Sequence, residues 1–351
     1  MRNICPQNMK EKLSMRKVRL VFSDFPGNFN PDKILLLLKQ KFEIELDDVN
    51  PDYVIYSVFG NDYFNYKNAI RIFFTGENVT PDFNLCDYAL GYDWLDYGDR
   101  YHRCPNYQLY DQYKDLVARR VSIKSEDTIS NAKTKFCNFI YTNGNAHPFR
   151  DEFFEALNAQ KKVDSAGAHL KNIQDDIGAA YQGDWTKPKV DFQKSYKFTI
   201  AFENSSSIGY TTEKIVHALA ADTIPIYWGN PQVAREFNPK RIINCHDFDS
   251  IEQIIERIFE IDADDCLFQQ ILKEPFFNQD KNIVGLSDHE ILAFFNSIFS
   301  EDKISAQRRN SHVWGQRYED QRKKEIESNK FLCSNSFSSK VSRKLKKWAS
   351  R

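Results

Sequence analysis

Residues 196–228 constrain the fold of this chain more than any other stretch. They read as an apolar, β-branched and aromatic run (KFTIAF), a polar turn through Glu203-Asn204-Ser205-Ser206-Ser207, a helical stretch and a second apolar run (IPIYW). Two largely apolar, buried strands joined through a helix fit a parallel sheet, whose strands need crossovers and are covered on both faces. Thr211 or Thr212 is placed to cap the helix, and Ile215, Val216 and Leu219 fall at helical spacing. Lys214 then sits in the first turn, where a cation opposes the helix dipole. An anion at that helix end reconciles the lysine with backbone N–H groups pointing the same way. The segment therefore predicts an anion site at the carboxyl edge of a parallel sheet.

The same alternation recurs along the chain. Strands are expected over 18–22, 53–58, 70–74 and 88–90, with a helix over 32–42 opened by Asn30-Pro31. A loose aromatic and charged region follows over 96–124, ending in an exposed helix. A second alternating unit has strands over 136–141, 198–202, 224–227 and 241–244. Its helices cover 149–159, the stretch after Asp249, and 291–299 behind the capping box Ser287-Asp288-His289-Glu290. With 351 residues, two Rossmann-like halves are expected, divided near 125–135, with ligands beyond the carboxyl ends of the strands. The expected division is an extension over 1–14, an N-terminal domain over 15–130, a C-terminal domain over 131–305 and a helical, basic tail over 306–351.

The opening residues lack the apolar run of a secretory leader, and no window holds the ~20 apolar residues of a membrane span. A cytoplasmic protein is expected. A net charge of −1 argues against nucleic acid as a partner. The tail differs: Phe337, Val341, Leu345 and Trp348 share one helical face among six cations, with no acid after Glu327. Such a stretch suits an anionic membrane surface, which would place the protein peripherally on the inner face of the cytoplasmic membrane. Seven cysteines without a CxxC pair read as free thiols. The pairs His102/Cys104 and Cys245/His246 lack partners for a metal site, and Asp247-Phe-Asp249 and Asp262-Ala-Asp264 read as helix-end carboxylates.

The 13 glycines contain neither GxGxxG nor a Walker A loop, and no GxSxG elbow is present. What remains is a set of residues at strand ends. Glu77 follows the strand in RIFFTGEN, where a surface-turn glutamate is the plain alternative. Arg150 follows the turn TNGNAHPF, and Asn204 and Tyr210 bracket the polar turn beside Glu213 and Lys214. The aromatic segment 91–103, with Tyr92 and Trp94, is a candidate cleft wall.

Taken together, FENSSSIGYTTEK followed by TIPIYWG resembles the donor-binding signature of bacterial α-1,3-fucosyltransferases. The likeness extends through FFTGENVTPDFNLCDYALGYD and NPKRIINCHDF, over roughly residues 16–300. It implies a GT-B fold, in which two Rossmann-like domains face a central cleft, acceptor on the N-terminal side and GDP-fucose on the C-terminal side. By position, it implies Glu77 as general base and Arg150 and Lys214 as diphosphate-binding cations. Asn204, Tyr210 and Glu213 would contact the nucleotide sugar, with Glu213 on the ribose hydroxyls, and Tyr92 and Trp94 would line the acceptor side. The implied reaction is inverting transfer of L-fucose from GDP-β-L-fucose to O3 of GlcNAc in Galβ1-4GlcNAc acceptors, as in Lewis X synthesis. No metal would be strictly required, though Mn²⁺ or Mg²⁺ would stimulate. The open alternatives are α-1,3/1,4 specificity, another nucleotide sugar, or a binding protein that has lost the reaction.

Overall fold

A computed structural model describes residues 15–120, 133–174, 177, 185–278 and 288–329. The expected extension over 1–14, residues 125–132 of the boundary expected near 125–135, and the basic stretch over 330–351 lie outside the described residues.

Two wholly parallel sheets organise the chain. The first holds β1 (Arg16–Ser23), β2 (Phe42–Leu46), β3 (Tyr53–Tyr56), β4 (Ile70–Phe74), β5 (Tyr88–Gly91) and β6 (Tyr101–Arg103), in the order β2-β1-β3-β4-β5-β6. The second holds β7 (Lys135–Phe139), β8 (Val163–Ser165), β9 (Tyr196–Phe202), β10 (Ile224–Trp228) and β11 (Ile243–Asn244), in the order β11-β10-β9-β7-β8. As expected, β9 and β10 are parallel; they are also adjacent, with Ile200 opposite Ile226 and Phe202 opposite Trp228. The connecting helix Glu213–Ala220 buries Ile215, Val216 and Leu219. Two mixed α/β halves of this kind match the expected architecture.

The expected helix over 32–42 stops at Leu38, and Phe42–Leu46 forms the edge strand β2 instead. FEIEL alternates apolar and acidic residues, the pattern of a strand with one buried face. The three-residue strand β6 inside the loose region was also not foreseen.

Two helices pack across the expected division of the chain. Helix Asp111–Arg119, expected with the N-terminal half, packs Tyr113 and Leu116 against Ile215, Val216 and Leu219 of the second half. Helix Asp288–Ser300, expected with the C-terminal half, returns to the first sheet. There Ile291, Phe295, Ile298 and Phe299 share a core with Val18, Leu20, Phe42 and Tyr53. Apolar complementarity, and not chain order, decides both placements.

The described residues after 300 continue on the first sheet. Buried Asp87 accepts the backbone N–H groups of Arg308 and Arg309, each at 2.9 Å, and pairs with the Arg309 guanidinium. Arg71, buried in β4, donates to both Glu319 oxygens, at 3.0 and 3.1 Å, from the helix over 314–329. Among the described residues, no helix is long and apolar enough to cross a membrane.

Candidate active site

The second sheet ends on a buried charge. Glu203 follows β9 and is wholly inaccessible. Its carboxylate accepts the Thr212 N–H at 2.7 Å, the Thr212 hydroxyl at 2.7 Å and the Lys214 ammonium at 2.9 Å. Gly229, at the end of β10, makes this possible. A Cβ there would lie 2.4 Å from Glu203 Cγ, and its φ of +155° is one that side chains resist.

The anion demanded by a lysine in the first helical turn is thus, in part, supplied by the chain itself. Thr212 does occupy the N-cap position, but its hydroxyl goes to Glu203 and does not cap the helix. Burial works against the Lys214 charge, yet Glu203 and then Glu213 outweigh it and hold the ammonium well above its ordinary range. Lys214 spends one hydrogen on Glu203 and one on Thr212 Oγ1, at 3.0 Å. An ammonium carries three, so among the described residues one donor has no hydrogen-bond acceptor, at the N-terminus of the helix, with Glu213 Oε1 4.0 Å away.

Arg150 is no surface arginine: it is completely buried. Its guanidinium donates to the Asn143 carbonyl at 2.7 Å and to Asn204 Oδ1 at 3.4 Å, and lies 4.5 Å from the Tyr141 ring centroid. Asp151, which holds His169 at 2.9 Å, stands 3.5 Å from its Nε. Arg150 therefore orients Asn204 and lays positive potential under the site. A direct contact with a ligand requires the Asn143 turn to give way.

On the other side of the helix start, Glu213 is buried, with its carboxyl held down at about 2: burial opposes this, but Lys214, Lys189 and His217 together prevail. Lys189, on helix Thr186–Gln193, reaches 5.4 Å from the Trp185 ring centroid. Burial pushes its ammonium down to about 8, with Glu213 acting against and Lys214 along with that shift. Neither Glu203 nor Lys189 stands out in the sequence. Glu203 carried one faint signal, an acid directly after a largely apolar strand, while Lys189 is one of two lysines in an unremarkable TKPK.

Across the cleft, Glu77 sits in the turn after β4, half-buried, with its N–H on Thr75 Oγ1 at 3.1 Å. Among the described residues, its carboxylate takes no hydrogen bond or ion pair. Next to it, Asn78 donates to Ser205 at 2.6 Å and Ser207 at 2.9 Å, and accepts the Tyr92 hydroxyl at 2.6 Å. Tyr210, buried, packs edge-on to Tyr92 at 5.1 Å and extends its hydroxyl to within 3.4 Å of the Gly76 carbonyl. The turn carrying Glu77 is thereby fastened to the polar turn of the second sheet.

Tyr92 and Trp94 occupy the seam between the halves. Tyr92 is tied to Asn78 and Tyr210, and Trp94 lies between the guanidiniums of Arg103 and Arg235, 3.5 and 3.8 Å from its ring centroid. Arg103 in turn grips buried Glu236 across the seam, at 2.8 and 3.0 Å. The structure thus brings Glu77, Asn204, Tyr210, Glu213 and Lys214 to one cleft, with Arg150 beneath them. Among the described residues, no three His, Cys, Asp or Glu side chains gather as metal ligands would.

Comparison with known proteins covers both sides of this cleft. The profile of the α-(1,3)-fucosyltransferase FucT N-terminal domain matches residues 20–110. That of the glycosyltransferase family 10 (fucosyltransferase) C-terminal region matches 130–274. Helicobacter pylori α-(1,3)-fucosyltransferase FucT is 34% identical over 314 residues, 79% of this chain and 63% of that protein. A putative fucosyltransferase, R654, of Acanthamoeba polyphaga mimivirus is 29% identical, over 55% of this chain and 32% of its own length. The chain thus spans less than two thirds of these relatives. A crystal structure of an α1,3-fucosyltransferase with GDP-fucose superposes with a TM-score of 0.65 at 30% identity, covering 86% of this chain and 94% of that one.

Proposed function

The chain belongs to glycosyltransferase family 10, the fucosyltransferases, and from that premise we propose that it transfers L-fucose from GDP-β-L-fucose to O3 of GlcNAc in Galβ1-4GlcNAc acceptors, with inversion. The observation carrying the proposal is the Glu203–Lys214 clamp at a helix N-terminus, with the unpartnered carboxylate of Glu77 across the cleft. Glu77 takes the proton from the acceptor hydroxyl as the new bond to C1 of fucose forms. An acid with free lone pairs is ready for that task. As the bond from C1 to the diphosphate breaks, negative charge grows on the phosphate oxygens. The remaining Lys214 hydrogen, the helix amides and the charges of Arg150 and Lys189 stabilise it.

Glu213, ionised down to about pH 2, is a pure acceptor suited to the ribose hydroxyls. Asn204, oriented by Arg150, and Tyr210 complete the donor wall. With this much positive potential, the proposal needs no metal for leaving-group departure, and Mn²⁺ or Mg²⁺ would act only as a stimulant.

Linkage analysis of the product from GDP-fucose and N-acetyllactosamine tests the reading. Fucose on O3 of GlcNAc in the α configuration is expected. A product fucosylated elsewhere, or turnover only with another nucleotide sugar, would overturn it. The basic stretch after residue 334 remains a proposed membrane contact at the cytoplasmic surface. Sedimentation with anionic liposomes should fall when residues 334–351 are removed, and equal pelleting rejects the idea.

A further inference from the structure

Beside Glu77 lies a cavity of about 790 Å³ that the chemistry above does not use. That size is within the ~300–1,000 Å³ of small-molecule sites. Its floor is apolar: Ile55, Phe74 and Leu90 at or near the carboxyl ends of β3, β4 and β5, with Ile34 and Leu37 on one side and Phe295 on the other. The carboxyl ends of parallel strands are where open α/β sheets take ligands. Asn106 belongs to the cavity wall, and its amide is also what a Cβ on Gly76 would meet, at 3.0 Å. Gly76 immediately precedes Glu77, so cavity and base share a wall.

The rim carries charges that cancel. Lys33 pairs with Asp111 at 3.2 Å and Lys114 with Asp288 at 2.8 Å, and all four line the cavity. Asn28, Asn30 and Gln40 add neutral polar groups, while Phe29 and the half-open ring of Trp185 add aromatic surface. Among the described residues a charged ligand would meet no unpaired counter-charge here, and a bare sugar would leave the apolar floor wet. A neutral group with an apolar body satisfies both.

We propose that this cavity is an aglycone subsite: it holds a neutral, apolar group attached to the reducing end of the sugar that Glu77 activates. The proposal rests on the acceptor reading of the Glu77 side. It makes the enzyme selective for acceptors carried on an apolar anchor over the same sugar free in solution.

The test compares N-acetyllactosamine with its hexyl β-glycoside. Each buried methylene is worth about fourfold in affinity, so even partial burial of the chain should lower KM by about tenfold, with kcat within about twofold. Ile34→Trp, which puts an indole into the apolar lining of the cavity, should abolish that difference while leaving KM for the free sugar and for GDP-fucose within about twofold. Leu36→Asp, at an exposed position on the cavity mouth, should reduce it without threatening the fold. Equal KM values for the two glycosides in the wild type overturn the proposal, as does a preference that survives Ile34→Trp. Calorimetric binding of the hexyl glycoside separates this from the function itself. Binding that Ile34→Trp removes, without fucosyl transfer, keeps the subsite and refutes the transferase reading. No binding refutes the subsite.

Discussion

The two walls of the cleft are built to opposite specifications. On the second sheet, the charges are committed before any ligand arrives. Glu203 is sealed between Lys214, Thr212 and Gly229, and Arg150 is buried against Asn143, Asn204 and Tyr141. On the first sheet, Glu77 stands half-exposed, its carboxylate unengaged among the described residues, beside a cavity whose floor is apolar. The difference follows from what each wall must do. A departing diphosphate develops charge, and dipoles already in place stabilise it without reorganising. An incoming hydroxyl needs a base with open lone pairs, and a committed carboxylate would be spent.

Three experiments press on that contrast, beginning with the largest effect. Glu77→Ala should lower kcat by ~10²–10⁴ while GDP affinity and melting temperature stay near wild type, because the residue supports nothing else. Near-normal turnover would remove the distinction between the walls. Glu203→Ala should act in the reverse sense. Stripping one partner from a buried ion pair costs about 3–5 kcal/mol of stability, read by chemical unfolding, and GDP binding should weaken with it. If stability is unchanged, the donor wall is not pre-committed.

The smallest effect is on Lys189. In the free protein its ammonium loses its proton as pH rises through about 8. A bound diphosphate favours the charged form and raises that value. GDP affinity should therefore be full below about pH 8 and decline above it, with a proton taken up on binding in that upper window. Calorimetry in buffers of different ionisation heat measures the uptake. Lys189→Met should show none, with GDP binding about tenfold weaker at pH 7. An identical pH profile in the variant would place Lys189 outside the donor site.

Much of the donor wall could be read from the chain, because it is local. One strand–turn–helix–strand segment carries Asn204, Tyr210, Glu213 and Lys214, and the misplaced Lys214 signalled an anion. The anion inside the protein was not readable, since it depends on β10 bringing a glycine alongside Glu203. Lys189 had no signal at all: its meaning comes from helix Thr186–Gln193 packing beside helix Glu213–Ala220. The expected acceptor residues Tyr92 and Trp94 were legible as an aromatic group. Their place in the seam depends on Arg103 and Arg235, which come from different halves. The cavity was invisible because its lining is drawn from strands, four α-helices and loops spread between residues 28 and 295.

The return of helix Asp288–Ser300 to the first sheet has a consequence for synthesis. The last strand of that sheet ends at Arg103, yet the helix that covers Val18, Leu20 and Phe42 begins 185 residues later (288 minus 103). At ~5–20 residues per second, the ribosome takes roughly 10–40 s to deliver it. Every element of the second sheet through Lys273 has been made by then. The half that is translated first is thus the half that closes last, and it waits with an apolar face uncovered. Chaperone dependence, aggregation during overexpression and the tolerance of truncation should all be governed by that interval.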